Sequence, residues 1–388
     1  MKNINTQYTL LIVIFFLNLS IDAQNVSANI GLDTLSTDKN QIINLWNNYL
    51  KSNPDELTNN PNWLESDKLK YKSYDLLKSE GFLSPSLYYF QLDNKILSIS
   101  KSDDDYIIKS MFFNKENMDI YAITNVVATK FNNQFYLTNY QPKFVKDWKT
   151  KVVGNITYHY FPNYNFNQLK AKEANDYLLK ICIVFNLKPE KINYFICTDC
   201  ENIFRTKGFD YVLSMGNGKE CGFYDIFNNI IYATAFAGEN HQHEITHFIN
   251  NYFPNANELL LTGISAYYGG ENAHKGKPLK YSIKRVDEYL KKHPEIDLNK
   301  PNEFWRLDEE TNPQYVIGAL ICDLAIEKGG IEMLKSILNN SKTDEDFLLF
   351  IEKKLNVKKG QLNAYLRKKI DKISKDNNFE NAKLKSNY

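Results

Sequence analysis

Residues 238–253 read GENHQHEITHFINNYF, and this stretch holds three of the six histidines in the chain: His241, His243 and His247. His243 and His247 are four residues apart with Glu244 between them, the HExxH spacing. Side chains at i and i+4 stand one above the other on a single helix face, so both imidazoles can reach one Zn²⁺ at about 2.0 to 2.1 Å. Glu244 then lies beside the open metal position, where it can take a proton from a water activated by the metal and pass it to a leaving amine. The apolar spacing predicts a helix over 239–252, with Ile245, Phe248 and Ile249 on its buried side. His241 falls off the face of the pair by the same geometry and reads as a surface residue.

The pattern on either side places this helix in an α+β protein. Asn229 to Thr234 (NIIYAT) reads as a strand just upstream, so the motif helix packs on a sheet. Further upstream, a strand over 155–160, a helix over 166–185 and a strand over 191–197 precede a glycine-rich segment, 208–222, that reads as a loop or hairpin. Downstream the periodicity is helical throughout, over 257–268, 279–292, 314–328, 331–338, 343–355 and 361–373. The N-terminal third differs. One amphipathic helix carrying Ile42, Leu45, Trp46, Tyr49 and Leu50 behind a Ser36-Thr37 cap is followed by period-two, aromatic strands from Lys95, separated by Asp103–Asp105, Asn114–Asn117 and Asn132-Asn133. The expected organisation is a small helix-plus-antiparallel-meander domain over 37–148, a second domain of sheet, motif helix and helical C-terminal part over 149–375, and a polar tail over 376–388.

With HExxH on a helix that follows a strand, this second region resembles the gluzincin metallopeptidases, the thermolysin-like and aminopeptidase-like zincins. The resemblance covers about 155–373. It implies a zincin-like fold, a Zn²⁺ cofactor, His243 and His247 as metal ligands, Glu244 as general base, and a peptide or protein substrate. In that group a downstream helix supplies a glutamate as third ligand, in a phrase like L-N-E-G-x-A-x-Y. Here the phrase is Leu260-Leu-Thr-Gly-Ile-Ser-Ala-Tyr-Tyr268, with Thr262 in the glutamate's place. Glu258, one turn earlier on the same face, is the first substitute, although a turn displaces it by about 5.4 Å; Glu271 and Glu239 are further ones. Tyr315, at the start of YVIGALICDL, resembles the family's later helix, whose tyrosine faces the active site and can donate to a tetrahedral oxyanion.

Composition narrows the partners. The 388 residues carry 47 Lys+Arg against 46 Asp+Glu, a formal charge of +1, which gives no electrostatic reason to expect nucleic acid or an anionic membrane. Residues 1–23 carry Lys2, an apolar run from Leu10 to Leu17 and a small residue, Ala23, the pattern of a cleaved secretory signal. The run falls short of the roughly 20 apolar residues of a spanning helix, so the expectation is a chain starting near Gln24 with a polar lead over 24–36, periplasmic or extracellular, with no permanent membrane anchor. Outside the cytoplasm disulfides persist, and among the five cysteines Cys200 or Cys197 is expected to pair with Cys221, with Cys182 and Cys322 as buried apolar side chains.

Overall fold

The computed structural model describes residues 26–53, 59–72, 74–77, 87, 92–213, 215, 221–270, 278–304, 307–308, 311–358 and 360–376. The segment read as a secretory signal and Glu271 lie outside these residues. The fold is α+β, with two mixed sheets and a helical C-terminal half.

The N-terminal layer begins with strand β1 (Val26–Ala28), helix α1 (Thr37–Leu50) and helix α2 (Glu65–Lys70). Ser36 caps α1 by accepting from the Lys39 amide, and the five apolar residues of its periodic face are all buried. Trp46 fixes α1 to the sheet by donating Nε1–H to Asn94 Oδ1 at 2.9 Å. The meander follows as β2 (Asp93–Ser102), β3 (Asp105–Phe113), β4 (Ile120–Phe131) and β5 (Gln134–Thr138), each antiparallel to the last, while β1 adds in parallel to β2. The short helix α3 (Gln141–Phe144) leads out of it.

The second sheet starts at once with β6 (Lys149–Val153) and β7 (Ile156–Tyr160). Helix α4 (Gln168–Phe185) crosses to β8 (Ile192–Cys197), and α5 (Cys200–Thr206) leads to β9 (Phe209–Val212), β10 (Gly222–Asp225) and β11 (Ile230–Thr234). The sheet order is β10-β11-β8-β7-β6, with β7, β8 and β11 parallel and both edge strands antiparallel. All five residues of β11 are buried, as expected of a strand covered on both faces. β9 departs from the sequence reading of a loop or hairpin within the second domain, because it leaves that sheet and pairs with β4 of the first. Phe204, Phe209 and Val212 complete the N-terminal core, so the two layers are interlocked beyond the boundary at residue 148. Cys200 and Cys221 form a disulfide with Cα atoms 5.8 Å apart. Cys182, Cys197 and Cys322 are unbridged and buried.

The helical half comprises α6 (Gln242–Thr246), continued as a 3₁₀ helix over His247–Tyr252, then α7 (Glu258–Gly269), α8 (Leu279–Lys292), α9 (Pro313–Asn339), α10 (Asp344–Leu355) and α11 (Leu362–Lys375). The two helices expected at 314–328 and 331–338 both form, and α9 is their joint span, with non-helical angles at Gly329 and Gly330 separating them. No helix among the described residues is long and apolar enough to cross a membrane.

Glycines set the spacing of α7. A Cβ on Gly263 would lie 2.2 Å from the Gly318 carbonyl carbon of α9, and one on Gly318 would lie 2.2 Å from the Leu259 carbonyl oxygen. At the other end of α7, a Cβ on Gly269 would lie 2.6 Å from backbone atoms of Gln242 and His243. Backbone meets backbone at both places, an approach only glycine permits. Gly263→Ala should therefore cost about 3 kcal/mol, the upper end for overpacking, because helix backbones cannot yield as a side-chain tip can. Urea unfolding checks this, and a variant with the parental midpoint would contradict the contact.

Candidate metal centre

The motif helix starts later than periodicity suggested, at Gln242 instead of Glu239, for a reason visible in the preceding turn. Tyr194 donates its hydroxyl to the Gly238 carbonyl at 2.7 Å and Tyr158 donates to the Glu239 carbonyl at 3.1 Å. Those two acceptors are thus engaged before the helix begins. Glu239 is almost fully buried and turns its carboxylate to the N-terminus of α4, accepting from the Asn167 amide at 2.6 Å. It is outside the group of metal-type ligands. Thr246 fixes α6 to α4 through a 2.6 Å hydrogen bond with the Tyr177 hydroxyl.

His243, Glu244 and His247 form one group whose ligand atoms all lie within 4.8 Å of one another. The two imidazole centroids are 5.0 Å apart. Each ring is held from behind. His243 Nδ1 is 3.2 Å from the Gly270 carbonyl oxygen, which can only accept, so the proton sits on Nδ1 and Nε2 keeps its lone pair. His247 Nδ1 lies 3.1 Å from Ser265 Oγ and 2.9 Å from the Asn250 side-chain amide. The Ser265 hydroxyl donates to the Leu261 carbonyl at 3.3 Å, and the Asn250 amide nitrogen faces the same ring nitrogen, so Nδ1 of His247 is held from two sides.

Burial governs the charges. It pushes the Glu244 carboxyl up to about 8, opposed by a hydrogen bond from the Tyr224 backbone N–H. It also pushes His247 well below the usual histidine value, reinforced by repulsion from His243. Metal-free, the centre at neutral pH holds a protonated carboxyl and a neutral imidazole. A divalent cation reverses the carboxyl's preference, because a nearby positive charge favours the ionised form.

Strand β10 forms the opposite wall. A Cβ on Gly222 would lie 2.7 Å from His241 Nε2 and 2.8 Å from Glu244 Cγ, so glycine lets the strand pass against the motif. Two residues on, the Tyr224 ring stacks on His247 at 6.4 Å and 12°, fixed by a 2.9 Å bond to Asn229 Oδ1 and a 2.6 Å bond from Asn251 Nδ2. This packing corrects the surface reading of His241, which is only 4 % exposed beneath β10.

Of the other residues singled out in the sequence, Tyr315 joins the centre, its ring 5.3 Å from that of His243. Glu258 does not. It is the first residue of α7, exposed, and outside the group of ligand atoms. Thr262 is half-buried on the face that α7 shares with Ser265 and Gly269. Among the described residues no carboxylate other than Glu244 joins the histidine pair. Sequence reasoning missed Ser265, the Gly270 carbonyl, Gly222 and Tyr224. The only signal was a run of small residues, Gly263, Ser265, Ala266 and Gly269, at the spacing of a closely packed helix face.

No protein-family model matches the chain, and searches of curated proteins and of solved structures return no match.

Two predictions follow from the geometry. Ser265→Ala should weaken Zn²⁺ binding by about 10- to 100-fold by releasing the His247 ring, as competition with a chromophoric chelator would report. An unchanged affinity would remove Ser265 from the site. For the metal-free chain, a carboxyl at about 8 when folded and 4.5 when unfolded contributes stability in full below 4.5 and loses it as pH rises through 8. Glu244→Gln should therefore flatten the fall in urea midpoint between pH 5 and pH 8 measured in chelator, and parallel profiles would refute that burial effect.

Proposed function

We propose that this protein is an exported zinc-dependent metallopeptidase. The observation that carries the reading is the group of His243, Glu244 and His247, whose ligand atoms all lie within 4.8 Å of one another, with His243 held through Nδ1 so that its Nε2 keeps a lone pair. Imidazole donors suit zinc, as they do copper, iron and nickel, and the HExxH spacing is what favours zinc among these. When bound, Zn²⁺ would polarise the scissile carbonyl and lower the pKa of the attacking water toward about 7.

The chain's own groups do the rest. Glu244, ionised beside the cation, accepts the proton of the attacking water and returns it to the leaving amine. Tyr315 is placed beside His243 to donate its hydroxyl to the oxyanion. Among the described residues β10 pairs only with β11, so its other edge can add an extended peptide as a further strand past Gly222. Residues 1–23 and the Cys200–Cys221 disulfide both suit export to an oxidising compartment, periplasmic or extracellular.

A second reading is a degenerate member of the same architecture that binds peptide without turnover. The position of Glu258 outside the group, and of Thr262 where the resemblance calls for glutamate, favours it. Cleavage of a peptide library by the zinc-loaded chain separates the two. Glu244→Gln should retain zinc and lose about 10² to 10⁴ in rate. Cleavage at the parental rate in that variant would refute the catalytic assignment, and a zinc-loaded parent without cleavage would favour the binding reading.

A further inference from the structure

The Cys200–Cys221 disulfide ends one residue before the wall of the metal centre. Cys221 is followed directly by Gly222, whose Cα rests against His241 and Glu244, and then by Phe223 and by Tyr224, whose N–H bonds the Glu244 carboxyl. β10 is a four-residue edge strand, and its inner neighbour β11 is its one strand partner among the described residues. The Cys221 carbonyl accepts from Thr234 N–H at 3.2 Å, adding one hydrogen bond to that pairing. So short a strand, paired on one side, is weakly held by itself. The disulfide is the covalent tie that binds the residue preceding this strand to α5, which in turn packs on β8, β9 and β11.

The two sulfurs differ in setting. Cys200 is 3 % exposed, whereas Cys221 is half-buried and offers a reductant a way in. The third cysteine nearby, Cys197, ends β8, is fully buried, bonds Thr206 at 3.7 Å, and has its thiol pushed up to about 12 by burial. It stays protonated and apart from exchange.

We infer that the Cys200–Cys221 disulfide is a redox-controlled brace: oxidised, it presses Gly222 and Tyr224 against Glu244 and His247; reduced, it releases β10 and disables the centre while the fold persists. A trialkylphosphine and water convert the disulfide to two thiols, the phosphine leaving as its oxide, so the switch needs no other reactant. This rests on the metallopeptidase reading for its consequence but not for its geometry, and the test reads the two separately.

Hydrogen exchange by mass spectrometry on the full mature chain, oxidised and phosphine-reduced, reads the brace without metal or substrate. Reduction should speed exchange across 222–225 by about tenfold or more while α4, α7 and β8 stay protected. Zinc affinity and peptide cleavage, measured in parallel, should fall by about 10- to 100-fold. Cys200→Ser/Cys221→Ser should match the reduced protein and ignore phosphine, and Cys197→Ser should behave as the parent. Unchanged exchange in 222–225, or loss of protection throughout the chain on reduction, would overturn the brace, the second because the bond would then hold the whole fold. Faster exchange in 222–225 in a protein that never binds zinc would leave the brace standing and refute the metallopeptidase reading.

Discussion

Backbone-to-backbone contact at Gly263, Gly269 and Gly318 is the constraint from which the centre's geometry follows. With no side chain between them, α7 lies directly on α9 at one end and on the first turn of the motif helix at the other. That placement brings the Gly270 carbonyl to His243 and the Ser265 hydroxyl to His247, and it carries the start of α9, with Tyr315, to the His243 ring. A methyl at any of the three contacts would move a helix by more than a hydrogen bond tolerates. The cost is backbone freedom in the unfolded chain, largest for glycine. The burial of Leu259, Leu260, Ile264, Val316, Ile317 and Leu320 around the crossing offsets it.

The same close packing sets the electrostatics. A carboxyl and two imidazoles packed under β10 and α7, with only His247 partly exposed, are poor hosts for their own charges, so Glu244 holds its proton and His247 sheds one. Such an arrangement costs stability, since burying polar groups without full compensation is unfavourable. A divalent cation at this place would reverse the carboxyl's preference, because a nearby positive charge favours the ionised form. Ser265, Gly270 and Tyr224 contribute by fixing rings and carboxyl in place beforehand, which spares that ordering when an ion binds.

Much of the fold was legible because it depends on local periodicity. The meander strands, α1, α4, α7, α8, α10 and α11 all show their buried face in the order of their residues. The metal-type pair was legible because His243 and His247 need only a helical turn between them. What escaped depends on distant partners. The motif helix lost its first turn because Tyr158 and Tyr194, 81 and 44 residues away, take the carbonyls of Glu239 and Gly238. β9 joined the first sheet because β4, far upstream, offered an unpaired stretch beside the end of β5. His241 was read as exposed because helix geometry describes one element and says nothing of the strand laid over it. Thr262 and Glu258 were placed on the right face of α7, but which turn of that face meets the histidines depends on the glycine contacts, which sequence spacing alone does not reveal.

The central claim is that His243 and His247 hold a metal ion. The most direct measurement is elemental mass spectrometry of the purified protein beginning at Gln24 after dialysis against a mild chelator, alongside the variant His243→Ala/His247→Ala. The account predicts about one zinc per parental chain and none in a variant that keeps its far-ultraviolet circular dichroism. A folded parental chain without metal, or a variant that retains zinc, would contradict it.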